Sequence, residues 1–139
     1  MKKIYVFLLI SFILIIFLLI LYTATIARTP IISKLIKLDK DNIIYEVRNI
    51  SPVKYFYGMG YTLQYKENNH WINVKPKKEF VVQPVMLCLV EFGRGKDEIN
   101  FKEEYGELKS GEYRIEKIFD REEKGKNHIT YKLYIYFDI

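Results

Sequence analysis

The chain has 139 residues and a formal net charge of +5, with half of its residues apolar and 28% charged. Much of the apolar excess lies in the first 27 residues, and the roughly 110 that follow are enough for one ordinary domain and too few for two. Positive and negative residues are interspersed rather than gathered in a stripe, which argues against nucleic acid as a partner, and enough Val, Ile, Leu and Phe remain to exclude disorder.

Ile4 to Ala27 runs without a charge, and Ser11 is its only polar residue before Thr23. As a helix it would span roughly 36 Å, enough to cross a ~30 Å hydrocarbon core. A signal peptide has a shorter apolar stretch, about 7–15 residues, followed by a small-x-small site; here the stretch is longer and Thr25-Ile26-Ala27 is a poor site. Residues 1–27 are therefore expected to be an uncleaved transmembrane anchor in the lipid bilayer, the alternative being a secreted binder or inhibitor released near Ala27. No cysteine follows the apolar run to carry a lipid at this end. Lys2 and Lys3 favour a cytoplasmic N-terminus, but Arg28, Lys34, Lys37 and Lys40 blunt the positive-inside signal. Those four cations read as solvated surface, or as contacts to anionic lipid headgroups or an anionic cell wall.

Thr29-Pro30 ends the helix, and residues 28–41 read as a linker or a first edge strand, Ile31 to Asp39 being the stretch in question. From there the period becomes two. Ile43, Tyr45 and Val47 alternate with Ile44, Glu46 and Arg48, and Tyr61, Leu63 and Tyr65 with Thr62, Gln64 and Lys66. Lys66 to His70, with Asn68 and Asn69 in it, reads as a hairpin loop before a strand over Trp71 to Lys75, closed by Pro76. Phe80 to Val82 and Val85 to Phe92 are strand-like and split by Pro84; Gly93-Arg94-Gly95 reads as a turn into a strand from Glu98 to Phe101. Glu112 to Phe119 and Thr130 to Ile139 complete the set, with Tyr131, Leu133, Ile135, Phe137 and Ile139 on one face. Seven or eight short strands with turn signals, and no convincing amphipathic helix after the anchor, point to an all-β fold, an antiparallel β-sandwich behind one N-terminal transmembrane helix.

Three strings carry a resemblance: Tyr57-Gly58 leading into Tyr61-Thr62-Leu63-Gln64-Tyr65, Asn69-His70-Trp71-Ile72-Asn73-Val74, and Tyr105-Gly106-Glu107-Leu108-Lys109-Ser110-Gly111-Glu112-Tyr113-Arg114-Ile115. With them, residues 42–139 resemble the bacterial immunoglobulin-like domains of small exported or membrane-anchored Gram-positive proteins. Leu108-x-x-Gly111-x-Tyr113 is the usual sequence of a tyrosine corner opening a late sandwich strand. The resemblance implies an immunoglobulin-like sandwich outside the membrane and no activity. The Gly93-Arg94-Gly95 turn, where the family has proline-glycine, and the very apolar Val85 to Phe92 depart from its pattern.

Candidate chemistry is sparse. His70 and His128 are far apart, and with the single Cys88 they do not make metal-ligand spacing; Cys88, inside an apolar run, is expected to be buried and inert. Glu103, Glu104 and Glu107 flank one turn, and Asp120, Glu122 and Glu123 share a loop with Arg121, Lys124 and Lys126, the pattern of solvated loops rather than of an acid and base pair. No catalytic, cofactor-binding or metal-binding residue is therefore assigned, and no phosphate loop or serine elbow is present. A cryptic carboxylate hydrolase using Glu103, Glu104, Asp120 and Glu123 is the alternative from another class. Trp71 and the tyrosines remain, with Tyr134 and Tyr136 opposite the inward face, where exposed rings either bind a partner or brace a sheet. The function expected is that of a membrane-anchored extracytoplasmic module, non-enzymatic, meeting an envelope protein or cell-wall partner.

Overall fold

A computed structural model describes residues 2–77, 85–122 and 128–139. The chain divides into two compact units, Met1–Pro30 and Ile31–Ile139. The first holds α1, Lys2–Arg28. At 1.5 Å per residue α1 is about 40 Å long, and from Ile4 to Arg28 it is long and apolar enough to cross a membrane. Its Ser11, Thr23 and Thr25 hydroxyls donate to carbonyls of the preceding turn, as Thr25 does to Leu21 at 2.9 Å.

The second unit is two antiparallel sheets. One has the order β1 (Ile31–Leu38), β2 (Asn42–Asn49), β7 (Arg94–Asn100). Residues 31–38 thus form an edge strand, interrupted at Ile36 by a register shift between Leu35 and Lys37. The other sheet is built around β8 (Glu112–Glu122). Along one side of β8 runs β9 (His128–Asp138). On the other side β4 (Thr62–Glu67) pairs with its first half and β3 (Tyr55–Gly58) with its second. Outside these lie β5 (His70–Asn73) next to β4 and β6 (Met86–Leu89) next to β3.

Alternation decides what is inside. Ile43, Tyr45, Val47 and Ile99 of the first sheet and Leu63, Tyr113, Ile115, Phe119, Leu133, Ile135 and Phe137 of the second form one buried cluster. Ile115, two residues after Tyr113 where an immunoglobulin sandwich can carry its second bridging cysteine, is fully buried in one cluster with Tyr45 and Val47. At one end, Phe101 stacks on Phe137 at 5.3 Å and Phe137 on Tyr113 at 5.7 Å. At the other, the buried Asn49 amide donates to Val53 and Val90 carbonyls at 2.6 and 2.9 Å and accepts from the Ser51 amide at 2.9 Å.

Four sequence expectations are corrected. Gly93-Arg94-Gly95 is not a turn: the chain reverses over Val90–Gly93, with Phe92 at φ 54°, and β7 already starts at Arg94. Gly95 is a strand residue opposite Val47, and the position needs glycine because a Cβ there would lie 2.7 Å from the Tyr57 hydroxyl. That strand stops at Asn100, whose side chain caps Glu103 N–H, so Phe101 opens the single-turn α2 (Phe101–Glu104) instead. The hairpin loop narrows to Asn68-Asn69, Glu67 pairing directly with His70. Cys88 is exposed, because β6 is an edge strand that turns Leu89 inward and Met86 and Cys88 out. The strand expected over Phe80 to Val82 lies outside the described residues.

Candidate functional site

Among the described residues, the one strongly desolvated charged group is Lys117, 2% exposed on the inward face of β8. Its ammonium pairs with Asp97 of β7, so the ion pair ties the two sheets together. The Tyr45 hydroxyl donates to the same carboxylate at 3.2 Å, and the ammonium lies 4.9 Å from the Tyr57 ring centroid. Burial, then the Asp97 charge, push the Tyr45 phenol far above its ordinary range, so it stays a donor. The Lys117 ammonium and the Tyr45 hydroxyl are both committed to the Asp97 carboxylate, which makes the cluster a structural lock.

The sequence-selected carboxylates do not converge. Glu104 accepts from the Tyr61 hydroxyl, whose pKa is raised by burial and then by that bond. Glu103 and Glu107 are exposed on α2 and beyond it. Asp120 accepts from Thr130 across β8 and β9 at 2.7 Å. Glu123, Lys124 and Lys126 lie outside the described residues. His70 is exposed at the start of β5, and among the described residues no group of three potential ligands could hold a metal ion. A shallow depression of about 360 Å³ is lined by Tyr65, Lys66, Asn68, Asn69, Gly111 and Glu112, with the Lys66 ammonium and the Glu112 carboxylate held together as an ion pair.

What the six-stranded sheet does bring together is on its outer face. Arg114 is half-buried. Its guanidinium lies 4.4 Å from the Trp71 ring centroid and 4.3 Å from that of Tyr134, and its Nε donates to Gln64 Oε1 at 2.6 Å. Gln64 in turn donates to Asn73 at 2.8 Å. Tyr136 meets the edge of Trp71 at 5.7 Å and is 59% exposed. Beside them Glu116 accepts from Tyr134 at 2.8 Å and from Lys132 at 3.2 Å. Burial pushes the Glu116 carboxyl up, but the bonds from Tyr134 and Lys132 outweigh it and hold it below its ordinary value. Sequence alternation placed Tyr134 and Tyr136 here; it could not place Trp71 and Arg114 together, because their strands meet only through β4.

The corner at the start of β8 decides the family. The Tyr113 hydroxyl donates to the Lys109 carbonyl at 2.8 Å, closing a tyrosine corner in the order seen in immunoglobulin-like sandwiches. The family profile of the bacterial Ig-like domain matches residues 32–133. The chain belongs to that family. The match takes in β1, so the Ig-like domain begins ahead of Asn42. No curated protein matches the chain. A crystal structure of a protein from Archaeoglobus fulgidus is similar at 9% identity over 80% of this chain and 96% of that one, with a TM-score of 0.32. The Ig-like domain here thus has a tyrosine corner and no disulfide, its interior staple being Lys117 and Asp97.

Proposed function

We propose that this protein is a membrane-anchored, extracytoplasmic, non-enzymatic binding module, with α1 as its single-pass anchor and the Ig-like domain as the part that meets an envelope partner. The observation that carries the reading is the group formed by Trp71, Arg114, Tyr134 and Tyr136. Aromatic rings and arginine are the residue types that dominate interface energetics, and here their side chains are already held by cross-strand contacts, so little ordering entropy remains to be lost on binding. A protein surface is the partner this composition suits.

A photoreactive benzoylphenylalanine in place of Tyr136 in the full chain, illuminated on intact cells, tests it. A discrete adduct is expected, reduced at least tenfold by Trp71→Ala and absent when the probe replaces the exposed Lys54 instead. Adducts of equal yield from both positions would refute the face. Intact mass of the recovered chain tests the anchor: a start after Ala27 would make the protein the secreted form.

A further inference from the structure

The opposite outer face, that of the three-stranded sheet, has a different chemistry. Strand register brings Ile32, Arg48 and Arg94 into one row, Lys34, Glu46 and Lys96 into the next, and Lys37, Ile44 and Glu98 into a third. Five cations therefore face two carboxylates. Arg48 and Arg94 sit directly opposite one another, a like-charge pairing that costs stability unless an anion relieves it. Among the described residues, Lys34, Arg48, Arg94 and Lys96 are exposed and make no ion pair. Lys37 alone is answered, by Asp39 at 2.9 Å.

Exposed apolar residues stand along β1, at the edge of this sheet. Ile32 is 42% exposed, and Ile36, the residue at which the β1 register slips, is 50% exposed. Only Thr29 and Pro30 separate α1 from β1. Two residues reach at most about 7 Å. If α1 is the anchor, the start of β1 can lie no more than about 7 Å along the chain from its end, close to the headgroups, a polyanion at high local density.

We infer that the outer face of β1, β2 and β7 docks on the anionic surface of the bilayer that holds α1, with Lys34, Arg48, Arg94 and Lys96 on phosphate headgroups and Ile32 and Ile36 entering the interface. This rests on the anchor reading above. Cations with adjacent apolar side chains are the composition of interfacial contacts, and screening by salt weakens the electrostatic part. Docked this way, the domain turns its Arg114 and Trp71 face away from the lipid, since the two outer faces lie on opposite sides of the sandwich.

The full chain reconstituted in vesicles tests it. An environment-sensitive fluorophore is placed at Ile36→Cys in a Cys88→Ser background, or on the native Cys88 of the other sheet as reference. With phosphatidylglycerol and brominated acyl chains, the probe at 36 is expected to lose at least half its emission, and the Cys88 probe none. Phosphatidylcholine with the same brominated chains, or the Arg48→Glu/Arg94→Glu variant on the phosphatidylglycerol vesicles, should restore the emission at 36. A chain that floats with the vesicles while its probe at 36 stays bright overturns the docking alone. A chain that fails to float overturns the anchor reading and the docking with it. A probe at 36 that the brominated vesicles leave bright, but whose emission wavelength shifts on adding a soluble poly(glycerol phosphate), assigns the face to a wall-type polyanion and also overturns it.

Discussion

Single residues decide whether this sandwich holds. Tyr113→Phe removes one hydroxyl from the corner and leaves the Lys109 carbonyl short of a donor, so it should cost about 1 kcal/mol in urea unfolding of the Ile31–Ile139 unit. Ile115→Ala opens a cavity in the fully buried cluster and should cost about 2–5 kcal/mol. The interior pair gives an asymmetric test. Asp97→Leu strands the Lys117 ammonium, nearly sealed from water, and should cost about 3–5 kcal/mol, whereas Lys117→Met leaves Asp97 with the Tyr45 hydroxyl and some solvent and should cost less. The double variant should recover part of the loss; strict additivity would show that the two groups do not act as a pair. Glu116 adds a pH signature. Its folded pKa is lowered from the ordinary 4.5, so its stabilisation is present above that value and is lost as pH falls through the lower folded one. Glu116→Gln should flatten the acid limb of Tm against pH, and an unchanged limb would contradict the assignment. Lys117 was within reach of the sequence, since it shares the parity of Tyr113, Ile115 and Phe119. What alternation alone lacks is the partner: Asp97 lies twenty residues earlier in a strand whose start the two glycines concealed.

At the scale of elements, strands with one clean face were legible and edges were not. The β2 and β9 alternations placed the inward apolar residues, though not the buried Asn49, because burying one face fixes the register. The apolar run of β6 carries no such alternation, and an edge strand exposes half of it, which is why Cys88 turns out to water. Turns were read by composition where conformation decides. At the β4–β5 turn both Asn68 (φ 48°) and Asn69 (φ 63°) adopt the left-handed conformation, the signature of a two-residue type I′ hairpin. Asn69→Gly should therefore hold or raise stability, while Asn69→Val should cost about 1–2 kcal/mol. Comparable losses for the two would mean that the turn relaxes to another type. The same hairpin carries Trp71, so the valine variant should also release the Trp71 ring from Arg114, read as a red shift of the only tryptophan's emission. The outer-face group was partly legible for the same reason: Tyr134 and Tyr136 share one strand, whereas Trp71 reaches Arg114 only after the hairpin folds and β4 pairs with β8.

For the molecule as a whole, the lone cysteine reports which side of the membrane the Ig-like domain occupies. Cys88 is exposed, is the only thiol of the chain, and sits on β6 away from the basic face of the other sheet. A domain whose core is locked by Lys117 and Asp97 instead of a disulfide needs no oxidising compartment to fold, so the free thiol itself does not argue for either side. Topology must come from access. If the domain is extracytoplasmic, a membrane-impermeant maleimide added to intact, wall-stripped cells should label Cys88 to the same extent before and after lysis, and Cys88→Ser should abolish the label. Added protease should at the same time remove the domain and leave α1 protected. Labelling that appears only after lysis would place the domain in the cytoplasm. In that event the aromatic face would have to serve an intracellular partner, while the basic face would meet the anionic cytoplasmic leaflet, where its attraction to lipid would be stronger still.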